Sequence, residues 1–434
     1  MKRRLFALTI ALLFAVGTQA EIIAVTGAKV HTMGPQGTVD NATLIIENGK
    51  VLSVASEGAA PQGARIIEAQ GKIVTPGLFN PFSRLGLTEV DMTDSTVDNI
   101  QRGDQFAASF DVADAYNRRS SIIAITRVEG TTRAVIAPSS GNNSGDGLKS
   151  QIFSGLASVV DLGTDAEYLT KRGVALVVNL GAGGGGLAGG SRAAALQTLR
   201  AALADASDYA THKEAFESAQ RRAYSLSQHD LEALQPVLSG KIPMLVNVHR
   251  ASDIEVLADL VEEYGLRAII NGGAEAWMVA DRVARSGMSV IVESYANLPK
   301  SFDELNASSA AVKRLRDAGV RFTFAYTVGA GQTQNMRNIT QSAGNAVANG
   351  LSWNDALAAI TIEPARMFGL DSSLGSLEAG KSADFVIWSD DPLELGNYPQ
   401  QVFIDGMEMP MVTRQTLLRD RYMKLNDAKP PAWH

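Results

Sequence analysis

Between residues 73 and 326 short apolar runs of strand character recur, with helical stretches between most of them. This alternation constrains the fold more than any other feature of the chain. The runs are residues 73–79, 134–137, 158–162, 174–180, 243–249, 267–271, 289–294 and 321–326. Apolar spacing of three and four marks helices over 191–209, 253–264 and 354–367. Eight strands in such an α/β alternation predict a (β/α)8 TIM barrel, with functional side chains where the strands end.

Both flanks of this region read differently. Residues 21–73 form short alternating strands broken by turns, with a hairpin expected at Asn48-Gly49. Past Gly369 β character returns, with a second hairpin at Asp405-Gly406. Two such flanks are expected to meet in one small β domain beside the barrel. The expected division is a signal peptide at 1–20, β domain at 21–73 and 368–414, barrel at 74–367, and a peripheral tail at 415–434.

The first 20 residues carry the signal. Lys2, Arg3 and Arg4 precede an apolar run interrupted only by Thr9, and Thr18-Gln19-Ala20 places small residues where a signal peptidase cuts. The apolar run is shorter than the ~20 residues a membrane span requires. Cleavage after Ala20 takes the formal charge from −7 to −10. An acidic, exported, periplasmic protein is therefore expected, with no membrane contact after cleavage and no electrostatic basis for nucleic acid as a partner. The absence of cysteine excludes disulfides, thiol nucleophiles and Cys-based metal sites. Five histidines remain: His31, His212, His229, His249 and His434.

Four segments carry a resemblance. They are Ile46-Glu-Asn-Gly-Lys-Val51, Gly71-Lys-Ile-Val-Thr-Pro-Gly-Leu78, Ile360-Thr-Ile-Glu-Pro-Ala-Arg366 and Gly375-Ser-Leu-Glu-Ala-Gly-Lys-Ser-Ala-Asp384. In this order they resemble the amidohydrolase superfamily, in particular its exported imidazolonepropionase-like and peptidase-like branch. The resemblance implies a barrel holding one or two divalent metals, zinc for instance, that activate water for attack on a C–N bond. It also implies a ligand set: a His-x-His pair ending the first strand, a carboxylated Lys or a Glu on the fourth, and one His each on the fifth and sixth. An Asp ends the eighth.

Position by position, this chain departs from that set. Phe82 and Arg84 stand where the His pair is expected, and neither offers a lone pair to a metal. Asn179 is the only polar side chain of the fourth strand. The fifth keeps its histidine, His249, while the sixth has Asn271. The eighth ends in Tyr326-Thr327-Val328, and no Asp or Glu occurs between residues 318 and 354. One histidine does not hold a hydrolytic metal, so no metal ligands and no cofactor are assigned.

The substrate-binding candidates are Arg84, His249, Asn271 and Tyr326. At the barrel mouth Arg84 can grip a carboxylate bidentately or fill the vacant charge position structurally. Asn271 and Tyr326 can supply polar contacts or pack. Asp91, Asp94 and Asp98 form an acidic loop after the first strand, and His212 and His229 are expected on the surface. The run from Gly181 to Gly190 contains Gly-x-Gly-x-x-Gly at Gly181, Gly183 and Gly186, but the acidic partner of a dinucleotide site is missing at the end of the next strand. It reads as a flexible loop at the barrel mouth. The loop at Ser139-Ser140-Gly141-Asn142 shows no nucleophile elbow.

By resemblance, then, the class is an exported hydrolase of amide-type C–N bonds in peptides, acylated amino acids or cyclic amides, with its own metal centre dismantled and activity weak or lost. Two alternatives stand beside it. One is an active, metal-independent hydrolase using Arg84, His249 and Tyr326. The other is a non-catalytic periplasmic binding protein, or a partner subunit of an intact homologous hydrolase. A small-molecule or peptide-like ligand and a homo- or hetero-oligomer fit these readings.

Overall fold

The computed structural model describes residues 21–423, except 102, 104, 141–150, 165–166, 294–297 and 327–332. The expected signal peptide, much of the loop after Ser140, Thr327-Val328 and His434 lie outside the described residues.

Two sheets organise the chain. The flanking sheet contains β1 (Ile22–His31), β2 (Thr38–Glu47), β3 (Lys50–Ser56), β4 (Arg65–Glu68) and β5 (Ile73–Pro76). The barrel sheet is built from β6 (Leu78–Ser83), β7 (Thr131–Ile136), β8 (Phe153–Asp161), β9 (Leu169–Asn179), β10 (Met244–Val248), β11 (Ala268–Gly272), β12 (Ser289–Val292) and β13 (Phe322–Phe324). The chain then returns to the flanking sheet with β14 (Phe385–Trp388), β15 (Pro399–Ile404) and β16 (Met407–Glu408). The sheet order is β16-β15-β14-β5-β1-β2-β3, with β4 also on β1, so both chain ends meet at β14 and β5.

Helices clothe the barrel: α1 (Ser121–Arg127), α2 (Gly181–Leu187), α3 (Arg192–Glu217), α4 (Gln228–Leu238), α5 (Ala251–Tyr264), α6 (Ala280–Arg285), α7 (Ala311–Asp317), α8 (Ile339–Ala348), α9 (Trp353–Ala358) and α10 (Ile362–Met367). A last helix, α11 (Arg414–Met423), buries no side chain. The strands alternate between two packing environments. Val178, Val246, Ile270 and Val290 pack outward with helix residues such as Leu199 and Leu257. Val177, Leu245, Ile269 and Ile291 pack inward with Phe79, Phe82 and Val135. Ala365, Met367 and Phe368 join this inner cluster, and Phe79 N–H donates to the Ile360 carbonyl, so the segment around α10 closes the seam between β13 and β6.

The barrel reading holds, with four adjustments. The run at 73–79 is two strands, β5 in the flanking sheet and β6 in the barrel, divided at Gly77. The helix expected over 354–367 breaks at Thr361, whose φ of −134° is not helical. The third barrel strand, β8, runs antiparallel to both β7 and β9, whereas the other neighbouring pairs are parallel. Seven residues separate β8 from β9, too few for the crossover a parallel pair requires.

The fourth adjustment concerns the glycine-rich run. It is not a flexible loop: Gly181–Leu187 is helical. A side chain at Gly184 would place its Cβ 2.2 Å from the Asn179 carbonyl oxygen, so glycine lets this turn lie directly on the end of β9. The Ala182 N–H donates to Asp303 Oδ2 at 2.8 Å, which caps the start of the helix. Tight packing and a carboxylate supply the order that composition alone argued against.

Candidate functional site

The parallel strands end at one mouth, and His249 follows directly after β10 there. Its ring lies flat against the backbone of Gly272, where an added Cβ would meet Cε1 at 2.3 Å. Gly272 also has φ +99°, so both its shape and its backbone suit glycine. The His249 side chain is 30% exposed, and Glu304 Oε1 lies 3.8 Å from Nδ1, beyond hydrogen-bond reach. That nitrogen has no hydrogen-bond partner among the described residues. Burial lowers the imidazole pKa, opposed by Glu304, Asp303 and Glu293 and aided by Lys300, so the ring is held neutral.

Below it a row of asparagines crosses three strands in register: Asn179 opposite Asn247, and Asn247 opposite Asn271. Each stands two residues beyond an inward-packing neighbour, so all three face the barrel interior. Asn179 Nδ2 donates to the Ile152 carbonyl at 3.0 Å and to Ser154 Oγ at 2.9 Å. A carbonyl only accepts, so this contact orients the whole row. Asn247 Nδ2 donates to Asn179 Oδ1 at 2.8 Å, and Asn271 Nδ2 donates to Asn247 Oδ1 at 2.7 Å. The row therefore terminates in Asn271 Oδ1, a buried acceptor without a partner among the described residues, polarised by the aligned amides behind it.

A charged rim surrounds this floor. Glu293, two residues beyond the inward Ile291, accepts from Lys300 Nζ at 2.6 Å. Asp303 accepts from the Ala182 amide and from Arg192, whose Nε reaches Asp253 Oδ2 at 3.1 Å. Arg192 thus ties the 3-10 turn Phe302–Glu304 to α5 beside the glycine helix.

The four candidates separate in this geometry. His249 and Asn271 come together, joined through Gly272. Arg84 Nη2 pairs with Asp91 Oδ1 at 2.9 Å, and its side chain is 11% exposed. Tyr326 lies beyond β13, with its hydroxyl 3.4 Å from the Asn338 carbonyl. Phe82 is buried in the barrel interior, and beside it Ser83 Oγ donates to the Val135 carbonyl at 2.8 Å. His212 and His229 are exposed, and His31 is buried in the flanking sheet.

Among the described residues no three His, Asp or Glu side chains converge as ligands. Sequence reasoning missed Glu293, Lys300, Asp303 and Glu304. Glu293 was detectable, because strand alternation places it inward at the end of the run 289–294; the loop acids had no such marker.

An eight-stranded barrel with its polar side chains at the strand ends and a flanking sheet from both chain ends defines a hydrolase architecture of the amidohydrolase type. Residues 147–413 match the amidohydrolase family, and the chain belongs to that family. It is 22% identical over 405 residues to a 5-methylthioadenosine/S-adenosylhomocysteine deaminase of Symbiobacterium thermophilum, covering 85% of each chain. It is 48% identical over 65 residues to an imidazolonepropionase of Pseudomonas paraeruginosa, a match spanning 14% of this chain and 16% of that protein. Among solved structures an amidohydrolase from Thermotoga maritima MSB8 superposes with a TM-score of 0.78 at 23% identity, covering 89% of this chain and 99% of that one. This last likeness is one of fold.

Proposed function

We propose that this is an exported, periplasmic member of the amidohydrolase family whose barrel mouth binds a small amide-bearing or peptide-like molecule without a hydrolytic metal of its own. One observation carries the reading. Where the resemblance expects a metal-binding histidine, the buried Phe82 fills the barrel interior, leaving His249 as the single histidine at the mouth among the described residues. His249, Glu304 and Glu293 do not converge as a ligand set among the described residues, and with the asparagine row they suit recognition of polar groups rather than activation of a metal-bound water. The free acceptor Asn271 Oδ1 favours a ligand that donates an N–H. The deaminase and imidazolonepropionase relatives, named for small nitrogen-containing compounds, support a ligand of that size.

The test is metal content by plasma mass spectrometry on untagged protein beginning at Glu21, purified from zinc- and manganese-supplemented medium. Background metal is expected; stoichiometric metal would overturn the proposal. A second reading, metal-independent hydrolysis, draws on the neutral His249 with its unpartnered Nδ1 acting as proton acceptor. It requires His249→Ala to lower turnover of an amide substrate by orders of magnitude, and unchanged turnover removes it.

A further inference from the structure

At the opposite end of β7 from the mouth, a cleft of about 350 Å3 opens between α1 and the turn at Gly163-Thr164. One face of α1 forms its wall: Ser120, Ile123, Ala124 and Arg127 recur at helical spacing. Arg118 and Arg119 stand at its rim, and no acidic side chain is among its described lining residues.

Arg127 is the informative member. The residue is 7% exposed, yet no carboxylate among the described residues pairs with it. Its Nη1 donates to the Leu162 carbonyl at 2.8 Å, while Nε is buried without a partner. The unpartnered Nε–H is a charge-assisted donor that a carboxylate or phosphate oxygen would satisfy. Burial lowers the pKa of this guanidinium, and a bound anion would relieve that penalty. The other buried arginine, Arg133, has such relief from Asp384.

We propose that this cleft is a second binding site, separate from the barrel mouth, for a small organic anion. Its carboxylate or phosphate sits on Arg127, and its apolar body lies along Ile123 and Ala124. The site is independent of whether the mouth holds metal.

Calorimetric titration of the untagged protein with benzoate, phenyl phosphate and inorganic phosphate tests it. Saturable binding of benzoate or phenyl phosphate is expected, and whichever binds more tightly identifies the head group. Arg127→Met should weaken that binding by about tenfold or more, the loss of a charge-assisted pair. Ala124→Leu fills the cleft without touching the charge and should weaken it as well, which keeps the test decisive if Arg127→Met fails to fold. His249→Gln, at the mouth, should leave it unchanged. No saturable binding of any probe, or binding indifferent to both cleft variants, overturns the site. Inorganic phosphate binding as tightly as phenyl phosphate overturns the apolar part of the assignment.

Discussion

His31 shows how one buried side chain imposes a pH dependence. It sits in β1 with Nδ1 2.9 Å from Thr38 Oγ1 and its ring 4.4 Å from that of Trp353, which opens α9. Burial first, then Lys29, lower its pKa from 6.5 to about 4, against Asp391 and Asp40. Folded protein keeps the ring neutral down to that value, while the unfolded chain protonates it near 6.5. Unfolding between these values therefore takes up a proton, and stability falls as pH drops through this window. The full loss is about 3 kcal/mol at ~1.4 kcal/mol per pKa unit. The unfolding free energy from urea titration should fall between pH 7.5 and 4.5 by about 2.5 kcal/mol less in His31→Gln than in the parent. An equal drop in both would mean that His31 does not set the dependence. Sequence placed His31 in the β flank but could not foresee this role, because Trp353 and Asp391 reach it only in the folded chain.

Among the elements, the asparagine row converts three weak sequence signals into one structure. Asn247 donates to one neighbour and accepts from the other, so Asn247→Ala strands both Asn179 Oδ1 and Asn271 Nδ2. Each orphaned buried group costs about 1–3 kcal/mol, giving roughly 2–6 kcal/mol for this variant. Asn271→Ala strands only Asn247 Oδ1 and should cost about half as much by chemical denaturation. Equal losses would mean that the row does not act as a unit. Asn179 and Asn271 were visible as polar residues on apolar strands. Their linkage was not, since register between strands 68 and 24 residues apart is a property of the closed sheet. The direction of β8 was hidden for a related reason. Its apolar run reads alike in either sense, and only the seven-residue connection to β9 betrays it.

For the whole molecule, the junction of barrel and flanking sheet rests on Arg133, 5% exposed in β7. It donates to both oxygens of Asp384, at 2.6 and 3.1 Å, and to Asp405 at 2.7 Å, with Asp161 3.7 Å away. Asp384 ends the segment Gly375–Asp384 that carried the family resemblance. Within that segment Lys381 Nζ donates to Ser376 Oγ at 2.6 Å and Glu378 Oε2 at 2.7 Å, while the Leu377 N–H donates to the Thr32 carbonyl. These residues dock the returning chain, which is why the segment announced the fold clearly and the activity hardly at all. Arg133→Met leaves buried carboxylates without their cation and should cost about 3–5 kcal/mol. Urea unfolding followed by tryptophan fluorescence reads this directly, and a loss below 1 kcal/mol would assign the junction to apolar packing instead.

The reversed third strand also bears on how the chain acquires its shape. β7, β8 and β9 lie within residues 131–179 and pair as successive antiparallel neighbours, whereas closing the barrel brings β13 at residue 322 back towards β6 at residue 78. Contacts near in sequence cost less chain entropy and form sooner. This three-strand ribbon is thus suited to serve as the nucleus on which the parallel strands assemble. In pulse-labelled hydrogen exchange its amides should gain protection before those of β6 and β13, so that the barrel grows outward from its one irregular side and closes last at the seam beside α10.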